Sequence, residues 1–157
     1  MGLFKKNKSL EEILEIKNND QLIKELYSYL DKKCYYGDYL GELSEDELII
    51  YLILNFESQL AEGGFEYYFT SLYGNYVLDV KEAFKEVGEE RIVEVIDQAI
   101  DYFPDEFDFS DQLEREKYMD LLMVDHPEGF NDVDETYYNL EVNIKEIVLK
   151  LIEKLKA

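Results

Sequence analysis

Apolar residues recur at intervals of three and four along most of this chain, which is the spacing of amphipathic α-helices. The pattern predicts helices over residues 10–17 and 20–32, and a wider apolar stripe predicts a central, buried helix over residues 45–61. Strict alternation of apolar and polar residues does not continue beyond four positions, so no strand is required. The pattern therefore indicates an all-α fold.

Capping residues and glycines mark the predicted helix ends. Ser9 with Glu12, and Ser44 with Glu47, have the spacing of capping boxes that open the first and third helices. Further N-terminal caps are expected at Asp20, Asn75 and Ser110. Paired glycines are expected to end the central helix at residues 63–64, and Gly88 is expected to end a later one.

Further helical segments are predicted over residues 65–72, 75–87, 89–103, 111–124, 131–138 and 140–155. No linker rich in Pro, Gly or Ser divides the chain. We therefore expect one compact all-α domain of eight or nine helices over residues 1–157, with residues 1–8 as a frayed basic terminus.

The charge is strongly negative and unevenly distributed. The formal net charge is −21, yet residues 1–40 hold seven basic and seven acidic residues, so the whole excess lies in residues 41–157. Fourteen Tyr and nine Phe distinguish the chain from a disordered acidic tail, which is poor in aromatic residues. A folded negative surface repels nucleic acid and anionic membranes and attracts basic proteins. We therefore expect a basic protein partner and no direct binding to nucleic acid or membrane.

The sequence offers little for catalysis or metal binding. One cysteine, Cys34, and one histidine, His126, are too few for a zinc site. No Gly-x-Ser-x-Gly motif, phosphate-binding loop or EF-hand spacing occurs. We expect no enzyme activity, with no catalytic residue, no cofactor and no dedicated metal site.

The lone cysteine, with no secretory signal and no apolar run of about 18 residues, predicts a cytoplasmic protein.

The densest acidic stretch is residues 101–135, with thirteen acidic and two basic residues. The net charge of −21 is larger in magnitude than the net charge of about 2–8 that keeps a small domain soluble. We take part of this stretch as a candidate partner-binding surface. Its nine predicted residues are Asp105, Glu106, Asp108, Asp111, Asp125, Glu128, Asp132, Asp134 and Glu135.

Residues 62–74 read Glu-Gly-Gly-Phe-Glu-Tyr-Tyr-Phe-Thr-Ser-Leu-Tyr-Gly. This stretch resembles the Asn-Gly-Gly-Phe-x-Gln-Tyr-Phe-x-Asn-Ser-x-Gly signature of a bacterial all-α family whose named member is a nineteen-kilodalton DNA-mimic protein. The likeness is best over residues 44–104. Matching positions, which we interpret as fold determinants, are Gly63, Gly64, Phe65, Tyr68, Phe69 and Gly74. The chain also departs from the signature at polar positions: Glu62 replaces the first Asn, Tyr67 the Gln and Ser71 the second Asn.

The resemblance implies a non-enzymatic protein whose carboxylates imitate the DNA backbone and occupy the basic groove of a nucleic-acid-binding protein. It does not identify the partner. Two alternatives stay open at this point: an immunity-type inhibitor that covers a basic toxin such as a nuclease, and a helical scaffold without a charged partner.

Overall fold

The structure is a computed structural model that describes residues 7–157, and it confirms the predicted all-α fold. Within these residues there are eight α-helices and no strand. The helices are α1 (Leu10–Leu14), α2 (Asn19–Lys33), α3 (Glu45–Thr70), α4 (Val77–Glu86), α5 (Glu90–Ile100), α6 (Gln112–Asp125), α7 (Asn131–Tyr138) and α8 (Ile144–Lys156). Short 3₁₀ helices at Leu40–Glu42 and Leu72–Tyr76 precede α3 and α4.

The chain divides into two compact units. The terminal unit is formed by the residues up to Tyr51 together with those from Lys145 onward, and the central unit is Leu52–Ile144. The single domain expected over residues 1–157 stays a prediction. The predicted frayed terminus falls mainly on residues 1–6, which lie outside the described residues.

The terminal unit buries one apolar side of α2. Leu26 and Leu30 are fully buried, as is Cys34 just after the helix. The predicted capping box at the start of α3 is confirmed, since the Glu47 backbone N–H donates to Ser44 Oγ at 3.2 Å and the Ser44 N–H donates to Glu47 Oε1 at 2.9 Å. The helix start is therefore fixed by two reciprocal hydrogen bonds.

The central unit is built around a break in α3. Gly63 and Gly64 leave helical geometry there, and Gly64 has a φ of +70°, a conformation that favours glycine. This confirms the predicted end of the central helix at the glycine pair, with a short aromatic helical segment following it. Because the chain turns here, Phe65 and Phe69 enter the core, where both are fully buried.

Aromatic rings form the core of the central unit. Phe56 makes edge-on contacts with Phe65, Tyr68 and Phe84 at centroid distances between 5.1 and 5.9 Å. Phe69 extends the cluster to Phe103 at 4.8 Å, the closest of these ring pairs. Seven of the eight described phenylalanines are buried, so the Phe content of the sequence is used largely in packing, whereas only three tyrosines are buried.

Three predicted caps were wrong. The cap of α2 is Asn18, whose side chain accepts from the Gln21 N–H at 2.9 Å, and not Asp20. The cap of α6 is Asp111 and not Ser110, because the Ser110 hydroxyl donates to Asp108 instead. Asn75 does not cap α4, which begins after Tyr76 without a side-chain cap.

Three helix ends also differ from the prediction by three or more positions. The first helix stops at Leu14 rather than at residue 17, α5 ends at Ile100 rather than at residue 103, and α8 begins at Ile144 rather than near residue 140. None of the helices in the described part of the chain combines the length and apolarity that a membrane span requires.

Candidate functional site

The negative charge belongs almost entirely to the central unit. Residues 52–144 hold twenty-four acidic and five basic residues, a net of −19 out of the total of −21. Nineteen of the twenty-four acidic residues are exposed and five are half-buried. The central unit therefore carries nearly all of the negative excess that lies in residues 41–157.

The few cations of the central unit are already engaged within it. Lys81 lies 2.5 Å from Asp97, and the other three pairs are Lys85–Glu82 at 3.2 Å, Lys117–Glu114 at 3.4 Å and Arg91–Glu89 at 3.8 Å. The fifth cation, Arg115, is fully buried. Among residues 52–144, no lysine or arginine is thus left as an unpaired positive charge on the surface, and the excess of carboxylates faces solvent.

The loop over residues 105–111 is held by its two phenylalanines. Phe109 is buried and packs on Phe103 at 4.9 Å, and Phe107 packs on Phe103 at 5.0 Å. The four predicted carboxylates of this loop are all exposed: Asp105, Glu106, Asp108 and Asp111. The loop therefore presents acids outward from an anchored backbone. Glu106 has a φ of +61°, which is uncommon for a residue with a side chain.

The second acidic group surrounds Tyr102 and α7. Phe130 anchors this segment on Tyr102, with ring centroids 4.9 Å apart. Burial raises the pKa of Tyr102, and the negative charges of Asp132, Glu128 and Asp134 raise it further. These three carboxylates thus act on a single hydroxyl, as expected for acids that lie near one another.

The same ring supports both acidic segments. Phe103 contacts Phe109 of the 105–111 loop at 4.9 Å and Phe130, at the start of α7, at 6.3 Å. The segments are therefore fixed relative to each other through one aromatic cluster. A fixed array of carboxylates loses less entropy on binding than a flexible tail with the same charge.

Not every predicted surface residue is equally available. Asp111 caps α6 by accepting from the Glu114 N–H at 3.1 Å, and Asp108 accepts from the Ser110 N–H at 3.0 Å. The hydrogen bonds from the Ser110 hydroxyl and backbone lower the pKa of Asp108. Exposed members without such a cap or turn contact are Asp105, Glu106, Asp125, Asp132 and Glu135, while Glu128 lies 3.8 Å from His126.

Asp134 is the half-buried member of the group. It accepts a hydrogen bond from the Phe65 backbone N–H at 2.9 Å. Burial raises the pKa of Asp134, the hydrogen bond from Phe65 lowers it and the charge of Glu66 raises it, with a net increase. A Cβ placed on Gly64 would lie 2.5 Å from this carboxylate, which is a second reason for glycine there. The role of Asp134 in the fold is thus visible, whereas its role in binding stays a prediction.

The glycine at the other end of the motif is explained by a residue that the sequence did not single out. Arg115 is fully buried, and a Cβ on Gly74 would lie 2.7 Å from its Nε. The guanidinium donates to the backbone oxygens of Phe69, Ser71 and Phe109, and to Asn75 Oδ1. A buried guanidinium held by these oxygens fixes the segment before α4 against α6. Asn75 does not cap α4, because its side-chain oxygen accepts a hydrogen bond from Arg115 instead.

The single cysteine and the single histidine lie in different surroundings. Cys34 is fully buried and its Sγ donates to the Asp31 backbone oxygen at 3.6 Å. His126 is exposed in the turn that follows α6. Within residues 7–157, no group of three or more His, Cys, Asp or Glu side chains is arranged to hold a metal ion.

These features define an acidic, all-α protein whose charge is concentrated on one structural unit. The model of the DMP19-like protein family matches residues 41–155. This span covers most of the chain, so the chain belongs to the DMP19-like family, and the family match extends beyond the 44–104 region that carries the best sequence likeness. No curated protein and no solved structure gives a significant match.

Proposed function

We propose that this chain is a non-enzymatic acidic binding protein that acts as a DNA mimic, occupying the basic groove of a nucleic-acid-binding protein in the cytoplasm. The observation that carries the proposal is the net charge of −19 on residues 52–144, where every surface cation is paired internally. Membership of the DMP19-like family supports a protein partner.

Electrostatics explains how such a surface could replace DNA. Duplex DNA presents one negative charge per ~1.7 Å of axis, and protein affinity for it falls steeply with salt. Carboxylates fixed on a helical scaffold compete for the same Lys and Arg side chains without presenting bases. Competition of this kind requires no reaction. The buried Arg115 and the half-buried Asp134 of the central unit already serve the fold.

The experiment is capture followed by competition. Immobilised chain is incubated with bacterial extract at low salt, and the retained proteins are eluted with duplex DNA. Each recovered protein is then purified and tested in a gel shift with labelled duplex. We expect a nucleic-acid-binding protein that is released by duplex and that loses its gel shift when the chain is added.

Two matched variants separate a specific surface from total charge. One carries Asp125→Asn, Asp132→Asn and Glu135→Gln in the central unit. The control carries Glu15→Gln, Asp38→Asn and Glu42→Gln in the terminal unit, and it removes the same number of negative charges. The first should compete poorly and the second normally. Recovery of no nucleic-acid-binding protein would contradict the proposal, and recovery of a toxic nuclease blocked at its active site would favour the immunity-type alternative.

A further inference from the structure

Helix α6 exposes aliphatic residues on the side that faces away from the core. Leu113 is 59% exposed, Leu121 67% and Val124 77%. Single exposed aliphatic residues are common on protein surfaces, but an aligned group on one helix indicates an interaction site. All three lie in the central unit, on the helix that runs through the densest acidic stretch.

Helical geometry places these three side chains on one stripe. At 3.6 residues per turn they fall within an arc of about 80° and span about 16 Å along the axis. The buried residues of α6 are Arg115, Met119 and Leu122, and they point in the opposite direction. Helix α6 therefore exposes aliphatic side chains on the side opposite to the one that the fold buries.

Acidic residues border this outer stripe on both sides. Asp120 lies along one edge, and Glu114 and Asp125 lie along the other, all three exposed. The one cation within the stripe, Lys117, lies 3.4 Å from Glu114. The face thus combines an apolar ridge with a negative border. We call the whole face the α6 stripe, and its residues are Leu113, Leu121 and Val124 with the flanking Glu114, Asp120 and Asp125.

We propose that the α6 stripe docks a basic amphipathic helix of the partner, one whose apolar ridge is flanked by Lys or Arg. This inference rests on the proposed function and adds a contact that imitation of phosphates does not require. Charge complementarity fixes the occupant: the ridge matches apolar side chains, and the acidic border matches cations. A second copy of the chain is disfavoured, because it would bring two borders of like charge together.

The test uses two synthetic peptides of Leu and Lys, each of roughly five helical turns. In one peptide the leucines align at helical spacing, and in the other the same residues are shuffled so that no ridge forms. Binding of both to the full-length chain is measured by fluorescence anisotropy at low salt. The variant is Leu121→Gln with Val124→Gln, and the control is Leu78→Gln, which alters a 52% exposed leucine on α4.

We expect the wild-type chain to bind the amphipathic peptide at least about tenfold more tightly than the shuffled one. The double variant should lose that preference, and the Leu78→Gln control should keep it. Equal affinity of the wild type for both peptides would overturn the inference while leaving charge-driven binding, and thus the proposed function, intact. If neither peptide binds at low salt, both proposals fail.

Self-association provides an independent check. Sedimentation of the wild type and of the double variant is compared at the same concentration. If the wild type is a dimer and the double variant a monomer, the α6 stripe holds a second copy and the proposed occupant is wrong. An unchanged oligomeric state, together with loss of the peptide preference, supports a basic helical partner.

Discussion

The carboxylate of Asp134 accepts a hydrogen bond at 2.9 Å from the backbone N–H of Phe65, which lies 69 positions earlier in the sequence. This contact joins α7 to the glycine corner of α3. The acceptor occupies the position of a helix cap, because Phe65 opens the second helical part of α3 after the break at Gly64. A residue from the acidic segment therefore stabilises the motif by which the family resemblance is recognised.

Asp134→Ala should lower the free energy of unfolding by about 1–2 kcal/mol, since it leaves the Phe65 N–H without its acceptor. Chemical denaturation measures this change. Glu135→Ala is the matched control, because its side chain is exposed and one position away, and it should change stability by less than about 0.5 kcal/mol. Equal effects of the two substitutions would show that the contact does not stabilise the corner.

Gly74→Ala should destabilise the protein by about 1–3 kcal/mol, because the new Cβ meets the fixed guanidinium of Arg115. Arg115→Leu removes the colliding atoms, so adding Gly74→Ala to that variant should cost at least about 1 kcal/mol less than in the wild type. Gly41→Ala is the control, since a Cβ there would meet no atom within 4 Å beyond its own local backbone and chain neighbours. A purely additive double-mutant cycle would contradict this account of Gly74.

Glu47→Gln should destabilise the fold at neutral pH by about 1–2 kcal/mol, because Glu47 is buried and accepts a hydrogen bond from Lys33 at 2.8 Å. Burial raises the pKa of Glu47, but the hydrogen bonds from Lys33 and Ser44 outweigh it, and the net pKa is lowered. Because the pKa of Glu47 is lower in the folded than in the unfolded state, its ionised form stabilises the fold at pH values above the ordinary Glu pKa. This stabilisation is lost as the pH falls through the pKa of the folded state.

The stability difference between wild type and Glu47→Gln should therefore shrink as the pH falls below about 4.3, the ordinary Glu pKa. Denaturation curves at a series of pH values measure it. Gln keeps the capping geometry, so the comparison isolates the charge. A difference that stays constant down to acid pH would mean that the ionised form of Glu47 gives no stability.

Added salt should raise the melting temperature, because residues 52–144 carry a net −19 and screening reduces their mutual repulsion. Thermal melts in increasing NaCl measure this response. The central-unit variant with Asp125→Asn, Asp132→Asn and Glu135→Gln should start from a higher melting temperature and respond less. A melting temperature that does not change with salt would argue against dense repulsion.

The sequence predicted the features that depend on nearby residues. The Ser44–Glu47 capping box and the glycine break in α3 involve contacts within a few positions, and both are confirmed. The caps at Asp20 and Ser110 were wrong by one or two positions, because several neighbouring Asn, Asp and Ser side chains are all competent caps. Spacing alone does not choose between such candidates.

The candidate site was only partly predictable for a different reason. The acidity of residues 101–135 is visible in the sequence. The contact between Arg115 and Phe69 and the contact between Asp134 and Phe65, however, each join residues more than forty positions apart. The exposed aliphatic side of α6 could not be predicted, because apolar residues occur on both sides of this helix and the sequence therefore shows no clear 3.6-residue period. The exposure of Leu121 and Val124 becomes evident only in the folded chain.

The most direct test of the central claim is the salt dependence of affinity for the recovered partner, measured by titration with the wild type and the two matched triple variants. If the carboxylates of the central unit replace phosphates, the logarithm of affinity falls steeply with the logarithm of salt concentration. The central-unit variant should bind at least about tenfold more weakly at low salt and show a shallower slope, and the terminal-unit control should match the wild type. Affinity that does not depend on salt, or equal losses for the two variants, would contradict the account.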